Sequence, residues 1–313
     1  MTVMSAFEAR SDARPFTGVT LDRVSAERKD PGWVSDRLAD PSARSVAAGR
    51  HGVLISGDEE HASLVRSPPA RPENGDVPIL LGLGGDGAPL FAADLDGLAS
   101  ADPEHLSAGR IVSLRDAGSV LSHEEAGLAA YLVALLNWHR RHRFCANCGA
   151  ETEVAEAGYT RHCPRCGTNH FPRTDPVVIM TVEHDRRLLL GRRTGWPARR
   201  LSVLAGFVSA GESAEEAVIR EVQEESGIVA RDPVYVASQP WPFPASLMLG
   251  FHALSDGGQP VPSDGELEEV RWLTLDEVRA AIEGHNPNVL LPPSVSIARY
   301  LIERWVDARA ERA

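Results

Sequence analysis

Residues Gly206 to Ile228 read GFVSAGESAEEAVIREVQEESGI. Ser213 followed three residues later by Glu216 is the pattern of a reciprocal helix cap, and Gly227 suits the left-handed residue that ends a helix. The spacing therefore predicts a helix opening at Ser213. On a helical wheel Ala214, Ala217 and Val218 share one stripe, and Glu221, Glu224 and Glu225 continue it at i, i+3 and i+4. Three like charges on the inward face repel one another and are costly to bury without a partner. A solvated acidic face is the ordinary meaning of such a run, but here the carboxylates share the apolar side. A hard divalent cation, Mg²⁺ or Mn²⁺, resolves the conflict, because carboxylate oxygens suit it. Arg220 has Glu216 and Glu224 within reach at i−4 and i+4 and is expected to brace the cluster. Glycines in the preceding loop, AGFVSAG, let the backbone approach the metal. A carboxylate-held cation open to water suits phosphate chemistry, since it neutralises phosphate oxygens and lowers the pKa of a bound water.

Outward from this segment, the 313 residues are enough for two domains, with 43% hydrophobic and 24% charged residues as in ordinary globular proteins. A net charge of -12 argues against a protein whose whole surface grips nucleic acid. The longest apolar run, Ala126 to Leu136, is too short to span a bilayer, so no membrane partner is expected. The opening MTVMSAFEARSDARPF lacks an apolar core, so no secretory leader and a cytoplasmic location are expected. The first forty-odd residues are polar and are expected to be loosely ordered or late-docking. From about Ala47 to Leu121 short apolar runs (GVLIS, VPILLGL, APLFAADL, IVSL) alternate with turns and predict a small β-rich domain. Within it Gly82 to Gly87 matches the dinucleotide fingerprint G-x-G-x-x-G, yet Pro-Leu-Phe-Ala follows where a helix is required, so a hairpin turn is the better reading. Ser122 and Glu125 form a capping-box pattern for a helix running to about Arg141. From Asp175 the texture is α/β: an apparent hairpin of PVVIMTVEH and RRLLLGRR, the acidic helix, further strands, and a closing helix from near Ser294.

All four cysteines fall in one window, as Cys145-x-x-Cys148 and Cys163-x-x-Cys166, each pair followed by glycine. Two such turns let four thiolates converge on one structural Zn²⁺ per chain, with no coordination position left open for chemistry. Arginines crowd the window (Arg140, Arg141, Arg143, Arg161, Arg165, Arg173), leaving either a solvated basic face or a local anionic partner. After the acidic helix the chain reads SQPWPFPAS, Ser238 to Ser246. Proline lacks the N–H that a ladder needs, so this stretch is not a central strand. On this segment alone a rigid edge or loop with core aromatics is the ordinary reading. Set behind a metal-binding helix, an extended segment would point Trp241 and Phe243 the same way, as a wall against a flat ring, and the prolines would stiffen it before binding.

Gly206 through Ile228 satisfies every position of G-x5-E-x7-R-E-U-x-E-E-x-G-U, U being aliphatic, and so resembles the Nudix hydrolases. That resemblance implies an α/β/α sandwich that hydrolyses nucleoside diphosphates linked to another group with Mg²⁺ or Mn²⁺. A four-cysteine ribbon before the box and SQPWPFPxS after it are similar to the bacterial NADH pyrophosphatases. The implied domains are a β-rich domain with linker helix (1–143), a zinc ribbon (144–172) and a Nudix domain (173–313). The implied catalytic residues are Arg220, Glu221, Glu224 and Glu225. The metal ligands would be Glu221, Glu225, Glu266 and the Ala205 backbone. The dinucleotide pocket would be lined by Phe171, Phe207, Gln239, Pro240, Trp241, Pro242, Phe243, Pro244, Ala245, Ser246 and Ala298, with Arg115 from the N-terminal domain. The implied reaction is NAD(H) plus water giving nicotinamide mononucleotide and AMP, in a homodimer. The family is also similar to enzymes that remove NAD caps from RNA, for which the ribbon arginines Arg161 and Arg165 would help hold RNA. The alternatives are a Nudix hydrolase of ADP-ribose or a dinucleoside polyphosphate, and a non-catalytic nucleotide sensor.

Overall fold

The computed structural model describes residues 14–58, 60–69, 78–98, 109–263 and 265–310. Most of the opening stretch read as lacking a secretory leader, residues 1–13, lies outside these. The chain divides into two compact units: Pro15–Thr174 with Trp241–Ala245, and Asp175–Pro240 with Ser246–Ala313.

In the first unit the polar N-terminal stretch is built into the core from Phe16 onward. Phe16, Val24 and Val34 are buried, Val34 on α1 (Pro31–Leu38), which Asp30 caps by accepting from the Gly32 N–H at 2.8 Å. From Phe16 onward the docked alternative describes this stretch, because a few well-spaced apolar side chains suffice to seat a polar segment. Strands β1 (Arg44–Gly49), β2 (Gly52–Ser56), β3 (Ser63–Leu64), β4 (Ile79–Leu83) and β5 (Pro89–Asp94) form a sheet in the order β3-β2-β1-β5-β4. After the short helix α2 (Leu95–Leu98), β6 (Arg110–Val112) adds to β2. The glycine run Gly82–Gly87 is the β4–β5 hairpin: the Gly84 N–H donates to the Ala88 carbonyl at 2.9 Å, and a strand, not a helix, follows.

Helix α3 (Leu114–Val120) precedes α4 (His123–Arg141). Ser122 caps α4 through the Glu125 N–H at 3.3 Å, but the reciprocal half of the predicted box is missing. The Glu125 carboxylate instead accepts from the Leu64 N–H at 2.7 Å and pairs with Arg66, a tertiary partner outcompeting the local one. A three-stranded ribbon follows, β7 (Glu153–Ala155), β8 (Thr160–His162) and β9 (Asn169–His170).

The second unit holds a sheet of order β13-β14-β10-β11-β15, with β12 on β10. Strands β10 (Asp175–His184) and β11 (Arg187–Arg193) meet in a two-residue turn whose Asp185 and Arg186 have φ of 45° and 57°, as a type I′ hairpin requires. The remaining elements are β12 (Leu204–Phe207), α5 (Ala214–Ser226), β13 (Ala230–Trp241), β14 (Ser246–Ser255), β15 (Leu267–Thr274), α6 (Leu275–Ile282) and α7 (Ile297–Ala310). The period-2 alternation of β10 assigns its side chains to two cores. Val178, Met180 and Val182 pack with Ala217, Val218 and Val222 of α5, while Ile179 joins Val278 of α6 and Leu301 and Trp305 of α7. This is the α/β/α sandwich. Strand β13 lies at the sheet edge, where Pro240 is tolerated because no ladder donor is needed on its outer side. Among the described residues no helix is long and apolar enough to cross a membrane.

Candidate active site

Helix α5 begins as its sequence predicts. Ser213 accepts from the Glu216 N–H at 3.2 Å, Glu216 accepts from the Ser213 N–H at 2.8 Å, and Gly227 closes the helix at φ 69°. Those Ser213 bonds hold the Glu216 carboxyl below its usual range and commit it to the cap. Glu216 is therefore not the brace of Arg220. That partner is Glu212, whose two oxygens receive Arg220 Nε at 2.7 Å and Nη2 at 2.8 Å. The same guanidinium donates to the Phe207 carbonyl at 2.9 Å and, through Nη1, to Glu221 and Glu224 at 2.8 Å each. Bonding to Arg220 pulls Glu212 down to about 2, and its carboxylate in turn raises the guanidinium pKa. Glu212 was visible only as a fixed position eight residues before the arginine; its role depends on how the loop folds back.

The predicted stripe is corrected at one place. Glu225 is buried and the Glu221 side chain is only 14% exposed, but the Glu224 side chain is 53% exposed. Val222 and Ser226 occupy the inward positions instead, because at about 100° per residue they follow Val218 more closely than Glu224 does. The Glu221 carboxylate lies over Gly206 of β12. A Cβ built on Gly206 would fall 1.9 Å from the carboxyl carbon, so only glycine leaves that seat open. Burial raises the Glu221 pKa; the charges of Glu224 and Glu266 add to this and Arg220 opposes it. A half-buried carboxylate, crowded by two others in a seat cut by a missing side chain, is the donor set a hard divalent cation fits.

Glu266 precedes β15, with its side chain 58% exposed and 3.4 Å from Arg193. Ala205 pairs with Ile179 across β12 and β10, one residue before the glycine seat. Phe207, one residue after it, is 61% exposed. An open groove of about 820 Å³ runs along loop 209–212 and the Arg220–Glu224 side of α5. Two residues assigned to the substrate pocket are buried in this unit. Gln239 is 0% exposed, with its amide donating to the Val295 carbonyl at 2.9 Å and accepting from the Ile297 N–H at 2.8 Å. Its side chain is committed to the start of α7, where Ala298 is also buried.

In the other unit the four cysteine sulfurs lie within 4.8 Å of one another. Both turns repeat one pattern: the Cys145 N–H donates to Ala150 and Gly149 to the Cys145 carbonyl, then Cys163 to Thr168 and Gly167 to the Cys163 carbonyl. Gly149 and Gly167 take φ of 75° and 72°, the left-handed conformation such a turn requires. His170 Nε2 lies 3.2 Å from the Cys145 sulfur and Thr168 Oγ1 3.2 Å from Cys166. Four thiols so placed fit a structural zinc with no open position.

Of the arginines around the ribbon, Arg140, Arg143, Arg161 and Arg165 have partners within the protein, while Arg141 is exposed. Arg161 is buried, donating to Thr152 Oγ1 at 2.7 Å, the Thr152 carbonyl at 2.6 Å, and lying 3.2 Å from His139 Nδ1. It holds the ribbon on α4 and is withdrawn from any RNA-gripping role. Arg140 pairs with Asp94 at 2.6 Å, Arg143 with Glu151 at 2.9 Å, and Arg165 reaches the Cys148 carbonyl.

The proline array spans the end of β13, a turn at residues 242–245 and the first residue of β14. Trp241 and Phe243 do not point in parallel like a flat wall; their rings meet edge to face, with centroids 4.9 Å apart at 63°. The turn at Pro242–Ala245 breaks the extended geometry that parallel rings require. Pro242 is buried, Ala245 and Ser246 are half-buried and Pro244 is exposed. The Arg115 guanidinium of α3 lies 4.8 Å from the Phe243 ring centre and 5.5 Å from that of Trp241. Phe171 is 66% exposed.

Sheet, acidic helix and glycine seat define a Nudix domain, and residues 171–291 match the NUDIX domain model. Residues 140–171 match the NADH pyrophosphatase zinc ribbon domain, and 42–138 the NADH pyrophosphatase-like rudimentary NUDIX domain. The chain belongs to the NADH pyrophosphatase family of Nudix hydrolases. It is 42% identical over 307 residues to the NAD-capped RNA hydrolase NudC of Mycobacterium bovis, covering 91% of this chain and 94% of that one. It is 39% identical to the same-named protein of Stutzerimonas stutzeri, across 72% and 77% of the two chains. The human NAD-capped RNA hydrolase NUDT12 is 41% identical across 59% of this chain and 43% of its own.

Proposed function

We propose that this chain hydrolyses the pyrophosphate of NAD(H), giving nicotinamide mononucleotide and AMP, and removes NAD caps from RNA 5′ ends. The observation that carries the reading is the Glu221 carboxylate seated over Gly206 and tied to Arg220, in a chain whose relatives bear the name NAD-capped RNA hydrolase. Glu221, Glu225, Glu266 and the Ala205 carbonyl would hold Mg²⁺ or Mn²⁺. A divalent cation so held supplies positive charge to the phosphate oxygens and acidifies water. Arg220, itself fixed by Glu212, sets the orientation of Glu221 and Glu224. Water attacks one phosphorus, the bridging P–O bond breaks, and a base takes the proton; Glu224, Glu225 and a residue of a downstream loop are the candidates. In the first unit Trp241, Phe243, Arg115 and the exposed Phe171 supply flat and cationic surfaces for a ring or phosphate; in the second, Phe207 is an exposed aromatic. The working form is a cytoplasmic homodimer, which sedimentation checks.

Product analysis of NADH hydrolysis with Mg²⁺ or Mn²⁺ tests the reading. Wild type yields AMP and reduced nicotinamide mononucleotide, and Glu225→Gln is slower by about a hundredfold or more, the scale of lost metal or acid–base catalysis. ADP-ribose cleaved far faster than NADH would instead make this a Nudix hydrolase of another substrate. Complete inactivity of the metal-loaded protein would make it a nucleotide sensor.

A further inference from the structure

Phe16 is one of the largest fully buried side chains, 1% exposed, and it comes from a segment whose polarity suggests no core role. Its ring meets Trp241 at 5.8 Å and 64°, and Phe243 at 6.2 Å and 66°. With the Trp241–Phe243 contact, three rings form a closed edge-to-face triad, the arrangement ring quadrupoles favour. Arg115 lies over Trp241 and Phe243. Trp241 and Phe243 are half-buried, so Phe16 is the covered member beneath two rings that keep an open side.

The main chain holds Phe16 in place. Its φ is 69°, a left-handed value costly for a bulky residue, so the surroundings must over-determine it. Two glycines show how. A Cβ on Gly127 of α4 would fall 2.2 Å from the Thr17 carbonyl oxygen, and one on Gly18 would fall 2.3 Å from the His123 ring. The segment is thus laid directly on α4, and the ring next to it cannot slide. A residue that only filled volume would not need a strained backbone pinned at two glycines.

We propose that Phe16 is a positioning residue for the dinucleotide, fixing the ring angles of Trp241 and Phe243 before substrate arrives. The inference rests on the NAD(H) reading given above. Without Phe16 the two rings must be ordered by the substrate itself, which weakens binding.

The test compares Phe16→Leu, which keeps an apolar side chain but loses the ring, with Phe16→Tyr, which keeps the ring. KM and kcat for NADH and the thermal midpoint are measured on the full chain. In Phe16→Leu, KM rises about tenfold with kcat within about twofold of wild type, the scale of two lost aromatic pairs. Phe16→Tyr keeps KM within about threefold of wild type, whatever its midpoint, because the ring contacts remain. A Phe16→Leu protein that melts earlier but keeps the wild-type KM overturns the positioning role, as does a fall in kcat at constant KM. Equal KM increases in the two variants overturn it too. If wild type itself does not hydrolyse NADH, the NAD(H) reading fails and the positioning role with it; that failure shows before any variant is compared.

Discussion

At the scale of single residues, Gly206 carries the sharpest consequence. The Glu221 carboxylate occupies the volume where any other residue would place its Cβ, at 1.9 Å from the carboxyl carbon. Gly206→Ala therefore leaves the strand intact but expels the carboxylate from its seat. Activity falls by about tenfold to a hundredfold, the cost of a metal-site carboxylate moved by about 1 Å. Raising the Mn²⁺ concentration recovers part of it, and an unchanged metal dependence would count against the seat. The glycine and the glutamate were both legible in the sequence as box positions. Their contact was not, because the pair lies fifteen residues apart on different elements, and only the packing of α5 against β12 brings them together. The same holds for Glu212, which pattern alone gave no reason to prefer over Glu216 as the partner of Arg220.

At the scale of elements, α4 and the ribbon share a buried polar joint. His139 Nε2 donates to the Gly158 carbonyl at 2.8 Å, which leaves Nδ1 to accept from Arg161. Burial first, and Arg161 next, lower the His139 pKa from 6.5 to about 4. In the folded chain the ring is thus neutral at pH values where the unfolded chain would protonate it. The unfolded state binds more protons between about pH 6.5 and 4, so stability contributed here is present above that window and lost as pH falls through it. From pH 7.5 to 5 the loss is about 2 kcal/mol. Urea midpoints at the two pH values check this: His139→Gln shows a smaller drop than wild type. Element boundaries in both units were largely legible, since caps, hairpin turns and periodicities are local. The half-formed cap at Ser122 marks the limit, because Glu125 finds Leu64 and Arg66, some sixty residues earlier in the chain.

At the scale of the whole molecule, the ribbon depends on its metal more than on a core. Its strands are two or three residues long and cannot bury enough apolar surface to hold themselves. Stripping zinc with a chelator lowers the thermal midpoint by several degrees, and Cys163→Ser does the same. Elemental analysis of the untreated protein finds one zinc per chain. Because four sulfurs close the site, zinc readdition after stripping restores stability without replacing the divalent cation of the Nudix site in catalysis.

The sequence by itself determined the Nudix helix, its caps, the four-cysteine site and the class of chemistry. All of these are written in spacings of three to fifteen residues, within the reach of one helix or one ribbon. Tertiary structure decided which carboxylate faces inward, which acid holds Arg220, that Arg161 and Gln239 are buried in hydrogen-bonded networks, and that Phe16 lies beneath the aromatic pair. Each of those outcomes depends on what a side chain meets across the fold. Hydrogen-bond satisfaction and packing there are settled by partners tens to hundreds of residues away, which no local pattern encodes.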